Sequence, residues 1–238
     1  MFRKYIIAAL AAALLPFAAT AQDWPNLARY RDSNAAVASS GGGRVVLMGD
    51  SITDGWIDKD AEFFEDNGFL CRGISGQTTP QMLIRFRHDV VETDALAVAI
   101  LAGTNDIAGN TGPSSLEMIF ANIASMCDIA RSNGVRPLIC SVLPAHRYPW
   151  SPDKRPDILI PQLNAMLQQY AREEKIDYVD YFSALVDTEN PENENGLPAK
   201  YSKDGVHPNP ECYKIMDEIL LKALGKSTVR KSIRNSSK

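Results

Sequence analysis

The sequence contains little histidine and little cysteine, and it has no excess of positive charge. Its 238 residues include three histidines and four cysteines, and the formal net charge is −4 at pH 7. An acidic chain without a basic stripe is not typical of a protein that binds nucleic acid. The cysteines show neither C-x-x-C spacing nor a Cys/His metal pattern. We therefore predict no nucleic-acid partner, no metal and no cofactor.

The four cysteines are expected to be mostly buried thiols. Cys71 and Cys140 lie in apolar runs that indicate separate central strands, whereas Cys127 and Cys212 lie in predicted helices. Four cysteines in an exported protein also allow a disulfide. One disulfide therefore stays open at this point, with no pair assigned.

Long apolar runs are scarce, and the longest segment of this kind lies at the amino terminus. Arg3 and Lys4 precede the apolar run Tyr5–Phe17, and small residues follow at 19–21. This pattern is typical of a secretory signal peptide, here residues 1–21, and the run is short for a membrane anchor. We expect an exported protein, periplasmic or secreted, without stable membrane insertion after signal cleavage.

The remaining chain divides into a lead-in, one domain and a tail. Residues 22–43 contain a polar, helix-compatible segment at 24–38 and end in a serine- and glycine-rich linker. Residues 44–225 alternate short apolar runs with segments of helical periodicity. Residues 226–238 form a basic tail without apolar periodicity, for which we expect disorder. No internal repeat and no second domain are indicated.

Alternating strands and helices predict an α/β domain, a three-layer α/β/α sandwich around a mainly parallel, five-stranded sheet. The predicted strands are 44–49, 69–74, 96–101, 136–143 and 176–181, with 96–101 in the centre. The predicted helices are 57–67, 80–90, 114–132, 158–175 and about 209–224. The proline-rich segment 144–152 and the polar segment 188–203 are predicted to be loops.

Three predicted strands end in small or polar residues that can carry chemistry. The first runs into Gly-Asp-Ser with Ser51, the second into Ser-Gly-Gln with Gly76, and the third into Gly-Thr-Asn with Asn105. The carboxyl ends of parallel strands share one edge, so these residues can converge. A serine nucleophile needs a base and a group that orients the base, which His207 and Asp204 can supply.

These blocks resemble the GDSL-type esterases and lipases, also called SGNH hydrolases. Residues 49–53 (G-D-S-I-T) are similar to the nucleophile block, with Ile52 where many members have leucine. The glycine block resembles residues 73–78 (G-I-S-G-Q-T), and the asparagine block resembles 103–106 (G-T-N-D). The terminal block resembles 204–208 (D-G-V-H-P). The resemblance spans about residues 44–224 in the family's order. It implies a flavodoxin-like SGNH hydrolase fold.

The resemblance also implies a role for each matched residue. Ser51 would be the nucleophile, His207 the general base and Asp204 the partner that orients the imidazole. The oxyanion hole would consist of the backbone N–H groups of Ser51 and Gly76 and the side-chain amide of Asn105. A metal-independent serine esterase that forms an acyl-enzyme is the activity implied.

Five further residues are candidates for contact with substrate. Trp56, Tyr148 and Trp150 can form an aromatic wall for a sugar ring, with ordinary packing as the alternative for each. Gln77 belongs to the glycine block, and His146 lies in the proline-rich loop.

Three other polar residues are expected to be structural. We expect Asp50 to accept a hydrogen bond beneath the turn rather than to act as a second catalytic acid. Asp106 is expected to bind nearby backbone, and His88 to lie in solvent on the polar side of its helix.

We expect the substrate to be a small-molecule or polysaccharide ester outside the cytoplasm, with a short acyl group. An O-acetyl group on a saccharide is the favoured target, because Tyr148 and Trp150 lie near Arg147, Lys154 and Arg155, and carbohydrate deacetylases occur among GDSL-type relatives. The absence of a long apolar lid disfavours long-chain lipase activity. The oligomeric state is open.

Other functions remain alternatives. A lysophospholipase or thioesterase-type acyl hydrolase is one, and a non-catalytic carbohydrate-binding module on the same fold is another. Such a module has no need of an activated nucleophile, so the five matched residues disfavour it. A nucleotide-binding domain is set aside because the chain lacks G-x-x-x-x-G-K-[ST].

Overall fold

The inner strands of the central sheet are apolar toward both faces, because helices cover both. In the strand at 45–49, Val46 and Met48 enter one hydrophobic core while Val45 and Leu47 enter the other. Side chains alternate between the two faces of a strand, so a run without polar breaks belongs between two layers.

A computed structural model describes residues 23–225, and in this part of the chain five strands form one sheet. The strands are β1 (Val45–Gly49), β2 (Phe69–Gly73), β3 (Ala97–Leu101), β4 (Arg136–Cys140) and β5 (Asp177–Val179). Their order is β2-β1-β3-β4-β5, and every neighbouring pair is parallel. The predicted α/β fold with a central third strand is confirmed.

Helices cover both faces of the sheet, as the three-layer prediction requires. Between residues 23 and 225 they are α1 (Arg31–Ser39), α2 (Ser51–Lys59), α3 (Ala61–Asn67), α4 (Thr79–Asp89), α5 (Thr104–Ala108), α6 (Leu116–Ser132), α7 (Pro156–Glu174), α8 (Tyr181–Leu185) and α9 (Pro210–Ala223). Helices α1, α4, α6 and α7 contribute to one core, and α2, α3, α8 and α9 to the other. Short 3₁₀ turns lie at Val91–Thr93 and Pro191–Asn193.

Three of these helices differ from the sequence prediction. Helix α2 begins at Ser51, directly after β1, so the predicted helix 57–67 is two helices that meet at Asp60. Helices α5 and α8 each have five residues, too few to show a helical period in the sequence.

The cysteines are buried and none of the four is paired. The disulfide that the sequence allowed is therefore not formed. Cys71 lies on β2, which is an edge strand, so its prediction as part of a central strand is wrong. The edge is covered by α1, because the guanidinium of Arg72 donates to Asn34 Oδ1 and to Ser33 Oγ.

The predictions for the two ends of the chain lie outside the described residues. These are the signal peptide at 1–21 and the basic tail at 226–238. Within residues 23–225, no helix has both the length and the apolar character needed to cross a membrane.

Candidate active site

Ser51 occupies the first position of α2, at the carboxyl edge of the sheet. Asp50 caps this helix, because its Oδ1 accepts a hydrogen bond of 2.9 Å from Ile52 N. The first N–H groups of a helix have no intrahelical acceptor and carry the positive end of its dipole. The backbone at Ser51 therefore favours a negative charge beside its own side chain.

Helix α2 is held closely against its neighbours. A Cβ atom at Gly73 would lie 2.1 Å from Asp54 N, so only glycine lets α2 approach β2 this closely. From the other side, Tyr213 Oη of α9 donates to Ile52 O (2.7 Å), and Trp56 Nε1 donates to Asp217 Oδ1 (2.9 Å). The position of Ser51 is thus set by contacts from both the sheet and α9.

His207 and Asp204 meet Ser51 in one hydrogen-bonded chain. Ser51 Oγ lies 2.9 Å from His207 Nε2, and His207 Nδ1 lies 2.7 Å from Asp204 Oδ2. A carboxylate only accepts, so it assigns the proton of the neutral imidazole to Nδ1 and leaves Nε2 free to accept from the serine hydroxyl. The structure therefore brings these three predicted residues together.

The turn around Asp204 is built by its second oxygen. Asp204 Oδ1 accepts from Val206 N (3.0 Å), His207 N (2.8 Å) and Ser202 Oγ (3.0 Å). Burial acts to raise the pKa of Asp204, but the hydrogen bonds from His207 and Val206 outweigh it and hold the pKa well below its ordinary value. The carboxylate stays charged opposite the imidazole.

Two of the predicted oxyanion donors come from other segments, Gly76 from the loop after β2 and Asn105 from the short helix α5 after β3. Gly76 has a φ of +80°, a conformation that favours glycine. Asn105 lies in α5, and its Nδ2 donates to Gln77 O at 3.0 Å, which leaves one of its two N–H bonds for another acceptor. The structure thus links Asn105 to the Gly76 loop.

Buried hydrogen bonds connect that loop to the strand of the nucleophile. Ile74 N donates to Gly49 O at 3.1 Å. The fully buried guanidinium of Arg85 donates to Gly49 O (3.0 Å) and to Gln77 Oε1 (2.6 Å), and its charge is balanced by Asp89 Oδ2 at 2.7 Å. Sequence reasoning missed Arg85, because a charged residue in a helical segment predicts a solvent-exposed face.

Asp106 joins the asparagine block to the start of α4. Its carboxylate accepts from Thr79 N and from Thr79 Oγ1 at 2.6 Å. The prediction of a backbone partner holds, but that partner lies 27 residues away rather than nearby. Burial raises the pKa of Asp106 to about 6 and that of Asp50 to about 7.

Three of the predicted substrate contacts are wrong, because their side chains are buried. Trp56 is 2% exposed and stacks between Phe63 and Tyr213. Tyr148 is 1% exposed, and Gln77 is 3% exposed. The Tyr148 hydroxyl lies 2.9 Å from Thr104 Oγ1, and Gln77 Nε2 donates to Pro25 O. These side chains serve packing and loop anchoring.

The other two predicted contacts remain accessible. Trp150 is 44% exposed, stacks on Tyr148 with ring centroids 5.2 Å apart, and has its centroid 6.1 Å from that of His207. His146 is half-buried, and its Nδ1 lies 2.9 Å from Glu194 O. His88, expected in solvent, is exposed and pairs with Glu92.

A cleft of about 1420 Å³ separates the proline-rich loop from the loop at 185–205. Its lining runs from His146 and Arg147 to Asp204 and Gly205. Both charge signs are present on its walls, including Asp187, Glu189, Glu192, Lys200 and Lys203. Apolar side chains complete the lining, so the cleft borders the Ser–His–Asp chain on its Asp204 side and has a mixed polar and apolar surface.

Sequence reasoning also missed Asn110. Its Nδ2 lies 3.0 Å from Asn105 Oδ1 and 3.2 Å from Gly76 O, and Trp150 Nε1 donates to its Oδ1 at 3.2 Å. No periodicity or spacing marks an asparagine in a loop that follows a five-residue helix.

Within residues 23–225, no group of three or more His, Cys, Asp or Glu side chains forms a candidate metal site.

Comparison with known proteins agrees with this geometry. Residues 47–215 match the GDSL-like Lipase/Acylhydrolase family. A Bacteroides fragilis NCTC 9343 structure, assigned as an acylhydrolase, is 41% identical over 87% of this chain and 99% of its own, with a TM-score of 0.80. A GDSL-like lipase of Bacteroides thetaiotaomicron VPI-5482 is 42% identical over 85% of this chain and 98% of its own, with a TM-score of 0.79.

A more distant structure shares the fold alone. Axe2, an acetylxylan esterase from Geobacillus stearothermophilus, is 20% identical over 77% of this chain and 94% of its own, with a TM-score of 0.59. No curated protein matches the chain in sequence. On the family match and the two Bacteroides structures, the chain belongs to the GDSL-like lipase/acylhydrolase family, and it is a hydrolase with the SGNH fold.

Proposed function

We propose that this hydrolase is a serine esterase that cleaves short-chain acyl esters through an acyl-enzyme, with O-acetyl groups of a saccharide as its substrate class. The observation that carries the esterase activity is the continuous chain Ser51 Oγ–His207 Nε2 (2.9 Å) and His207 Nδ1–Asp204 Oδ2 (2.7 Å). A serine with a base in reach, itself oriented by a carboxylate, is an activated nucleophile.

In the first half of the reaction, Ser51 Oγ attacks the ester carbonyl carbon and its proton passes to His207 Nε2. The carbonyl oxygen becomes an oxyanion, which accepts hydrogen bonds from the N–H groups of Ser51 and Gly76 and from Asn105 Nδ2. Asp204 stabilises the imidazolium. The C–O bond of the ester then breaks, and the imidazolium gives its proton to the leaving alcohol. The acyl group stays on Ser51.

In the second half, water replaces the alcohol. His207 Nε2 takes a proton from the water as the water oxygen attacks the acyl carbon. A second oxyanion forms and accepts hydrogen bonds from the same donors. Its collapse releases the carboxylic acid, and the imidazolium returns its proton to Ser51 Oγ. The enzyme ends the cycle in its starting state.

Two features favour a saccharide as the leaving group. Trp150 presents an exposed aromatic face next to His207, and such faces pack well on sugar rings. The adjoining cleft carries charged and amide side chains beside its apolar ones, and these polar groups can hydrogen-bond the hydroxyl groups of a sugar. Among the structural neighbours, two are named as acetylxylan esterases, which supports the same substrate class through the fold alone.

The proposal includes export. Basic residues, an apolar run and a small-residue site at 1–21 favour a signal peptide, so that the enzyme would meet its ester in the periplasm or outside the cell. Fusion of these residues to a reporter, followed by cell fractionation and sequencing of the mature amino terminus, tests this part. A reporter retained in the cytoplasm would contradict it.

Acyl length is tested with nitrophenyl esters of increasing chain length, followed by acetylated sugars. We expect the highest kcat/KM for acetate and release of acetate from a sugar. A clear preference for acyl groups of eight or more carbons would overturn the acetyl assignment and favour a lysophospholipase or thioesterase. Complete inactivity on all esters would favour a binding module.

The role of Trp150 is tested by two variants. Trp150→Ala should lower kcat/KM on an acetylated sugar about tenfold more than on ethyl acetate, because only the sugar has a ring that stacks on the indole. Trp150→Phe keeps an aromatic face and should retain most of this preference. An equal loss on both substrates in Trp150→Ala would remove the sugar-contact role.

A further inference from the structure

Asn110 lies where the chain turns back after α5. The helix ends at Ala108, and Gly109 follows with a φ of +81°. This turn is closed by Asn110 N, which donates to Asn105 O at 3.0 Å. The turn thus returns the side chain of Asn110 to that of Asn105.

The orientation of the Asn110 amide follows from its neighbour Trp150. An indole N–H only donates, so the atom that lies 3.2 Å from Trp150 Nε1 must be the amide oxygen of Asn110. The amide nitrogen then faces the other way, where both atoms within reach are acceptors. They are Asn105 Oδ1 at 3.0 Å and Gly76 O at 3.2 Å. Both N–H bonds of Asn110 are therefore used.

The orientation of Asn105 follows in turn. Because its Oδ1 accepts from Asn110, its Nδ2 must face the opposite side, where it donates to Gln77 O at 3.0 Å. The second N–H bond of this buried amide is the one available to an oxyanion. A flipped Asn105 would present oxygen lone pairs there instead, which would repel the negative charge.

We propose that Asn110 is a positioning residue that fixes the donor orientation of Asn105 and the Gly76 loop, and that the indole N–H of Trp150 fixes Asn110. The inference rests on the proposed oxyanion role of Gly76 and Asn105. Asn110 itself does not touch the reacting atoms in this scheme. Its effect belongs to the transition state, since only there does the negative charge appear on the substrate oxygen.

The first test compares two variants on nitrophenyl acetate. Asn110→Ala removes one of the two hydrogen bonds that orient the Asn105 amide, leaving only the bond to Gln77 O, and should lower kcat about 10- to 100-fold with KM within about threefold. Asn110→Asp offers acceptors only and should attract Asn105 Nδ2 away from the substrate, with a loss of about 10²- to 10³-fold, as for removal of one oxyanion donor. Wild-type kcat in both variants would overturn the inference.

Matched controls use Asn133, which caps α6 on the opposite edge of the sheet and donates to Ile129 O. Asn133→Ala and Asn133→Asp carry the same changes of size and charge and should keep wild-type kcat. Thermal unfolding is measured for every variant. A lowered melting temperature in Asn110→Ala with unchanged kcat of the folded enzyme would mean a structural role only, and would overturn the proposal.

A double-mutant cycle separates positioning from an independent effect. If Asn110 acts mainly through Asn105, the variant Asn105→Ala/Asn110→Ala should have a kcat within about threefold of Asn105→Ala alone. Multiplicative losses would overturn the inference. An unchanged kcat in Asn105→Ala would refute the proposed oxyanion role itself, whereas a large loss there beside an unaffected Asn110→Ala would refute the positioning role alone.

The Trp150 step has its own test. Trp150→Phe removes the indole N–H and keeps the ring, so kcat on nitrophenyl acetate should fall about three- to tenfold. The same change in an Asn110→Ala background should cause no further loss, because the amide it orients is gone. An equal loss in both backgrounds would overturn the link from Trp150 to Asn110.

Discussion

Ser51 begins a helix that packs against the sheet and α9, whereas His207 and Asp204 lie on a short turn at the surface. The side chains of His207 and Asp204 are 39% and 41% exposed. Around Ser51 the supporting groups come from distant parts of the chain, including Arg85, Gly73 and Tyr213. Around His207 the support is local, since Asp204 Oδ1 binds residues two and three positions away.

The two regions also shift the pKa of a carboxylate in opposite directions. On the buried side, burial raises the pKa of Asp50 to about 7. On the exposed turn, hydrogen bonds from His207 and Val206 overcome partial burial and lower the pKa of Asp204. A change in the turn should therefore cost activity with little stability, and loss of a buried supporting group such as Arg85 should cost stability as well.

The largest effect is expected from the loss of Ser51 or His207. Ser51→Ala and His207→Ala should each lower kcat by roughly 10⁴-fold or more, and the double variant should be no worse, because the two groups act as one unit. Melting temperatures should stay near that of the wild type. Titration with an organophosphate that labels active serine should fail for Ser51→Ala, and near-normal turnover by this variant would refute the mechanism.

Asp204→Asn should come next, with a loss of about 10³- to 10⁴-fold in kcat. The oxygen of the new amide should keep the position of Oδ1, where three donors converge. Its nitrogen would then face His207 Nδ1 and force the proton onto Nε2, so that the imidazole no longer accepts from Ser51.

Proton NMR of the imidazole and unfolding curves check this prediction. The Nδ1 proton signal should disappear in Asp204→Asn while the free energy of unfolding changes little. Retention of the signal with full activity would show that another group orients His207. Glu211→Gln, an exposed change at the start of α9, serves as the control.

Arg85→Met tests the buried side. The change removes four hydrogen bonds and leaves Asp89 without its buried cation, which should lower the free energy of unfolding by about 3–5 kcal/mol. The matched control is Arg87→Met on the exposed face of the same helix. Urea unfolding measures both variants, and equal stability would contradict a supporting role for Arg85.

The contrast between the two regions also explains what the sequence could predict of the fold. Strands buried on both faces produce apolar runs, so the five strands and the parallel sheet follow from the pattern. The start of helix α2 was missed because its first turn falls within the G-D-S-I-T block, which consists mostly of polar and small residues. Asp54 and Gly55 then interrupt the apolar periodicity. The signal peptide and the export of the protein stay predictions.

Within the site, strand ends could be predicted and side-chain surroundings could not. Ser51, Gly76 and Asn105 follow three strands, so their shared edge was foreseeable from topology. Trp56 and Trp150 are the same residue type near the same motifs, yet one is buried against α9 and the other is exposed beside His207. Only tertiary packing distinguishes them, and the partners of Asn110 depend on it equally.

The smallest effect is expected at Asp50, and it concerns stability rather than rate. Its folded-state pKa of about 7 lies above the ordinary value of 3.8, so the folded protein binds this proton more tightly than the unfolded chain. The resulting stabilisation is fully present below about pH 4 and is lost as the pH rises through 7. Asp50→Asn keeps the oxygen that caps α2 and removes the titration.

The difference in free energy of unfolding between Asp50→Asn and the wild type should therefore be larger at pH 8 than at pH 5, in favour of the variant, by about 2 kcal/mol. Urea unfolding at the two pH values measures this difference, and Asp66→Asn on the exposed surface of α3 should leave it unchanged. If the difference instead moves in favour of the wild type at pH 8, the ionised carboxylate is stabilised where it lies. Asp50 would then resemble Asp204, and the buried and exposed sides of the site would not differ in their carboxylates.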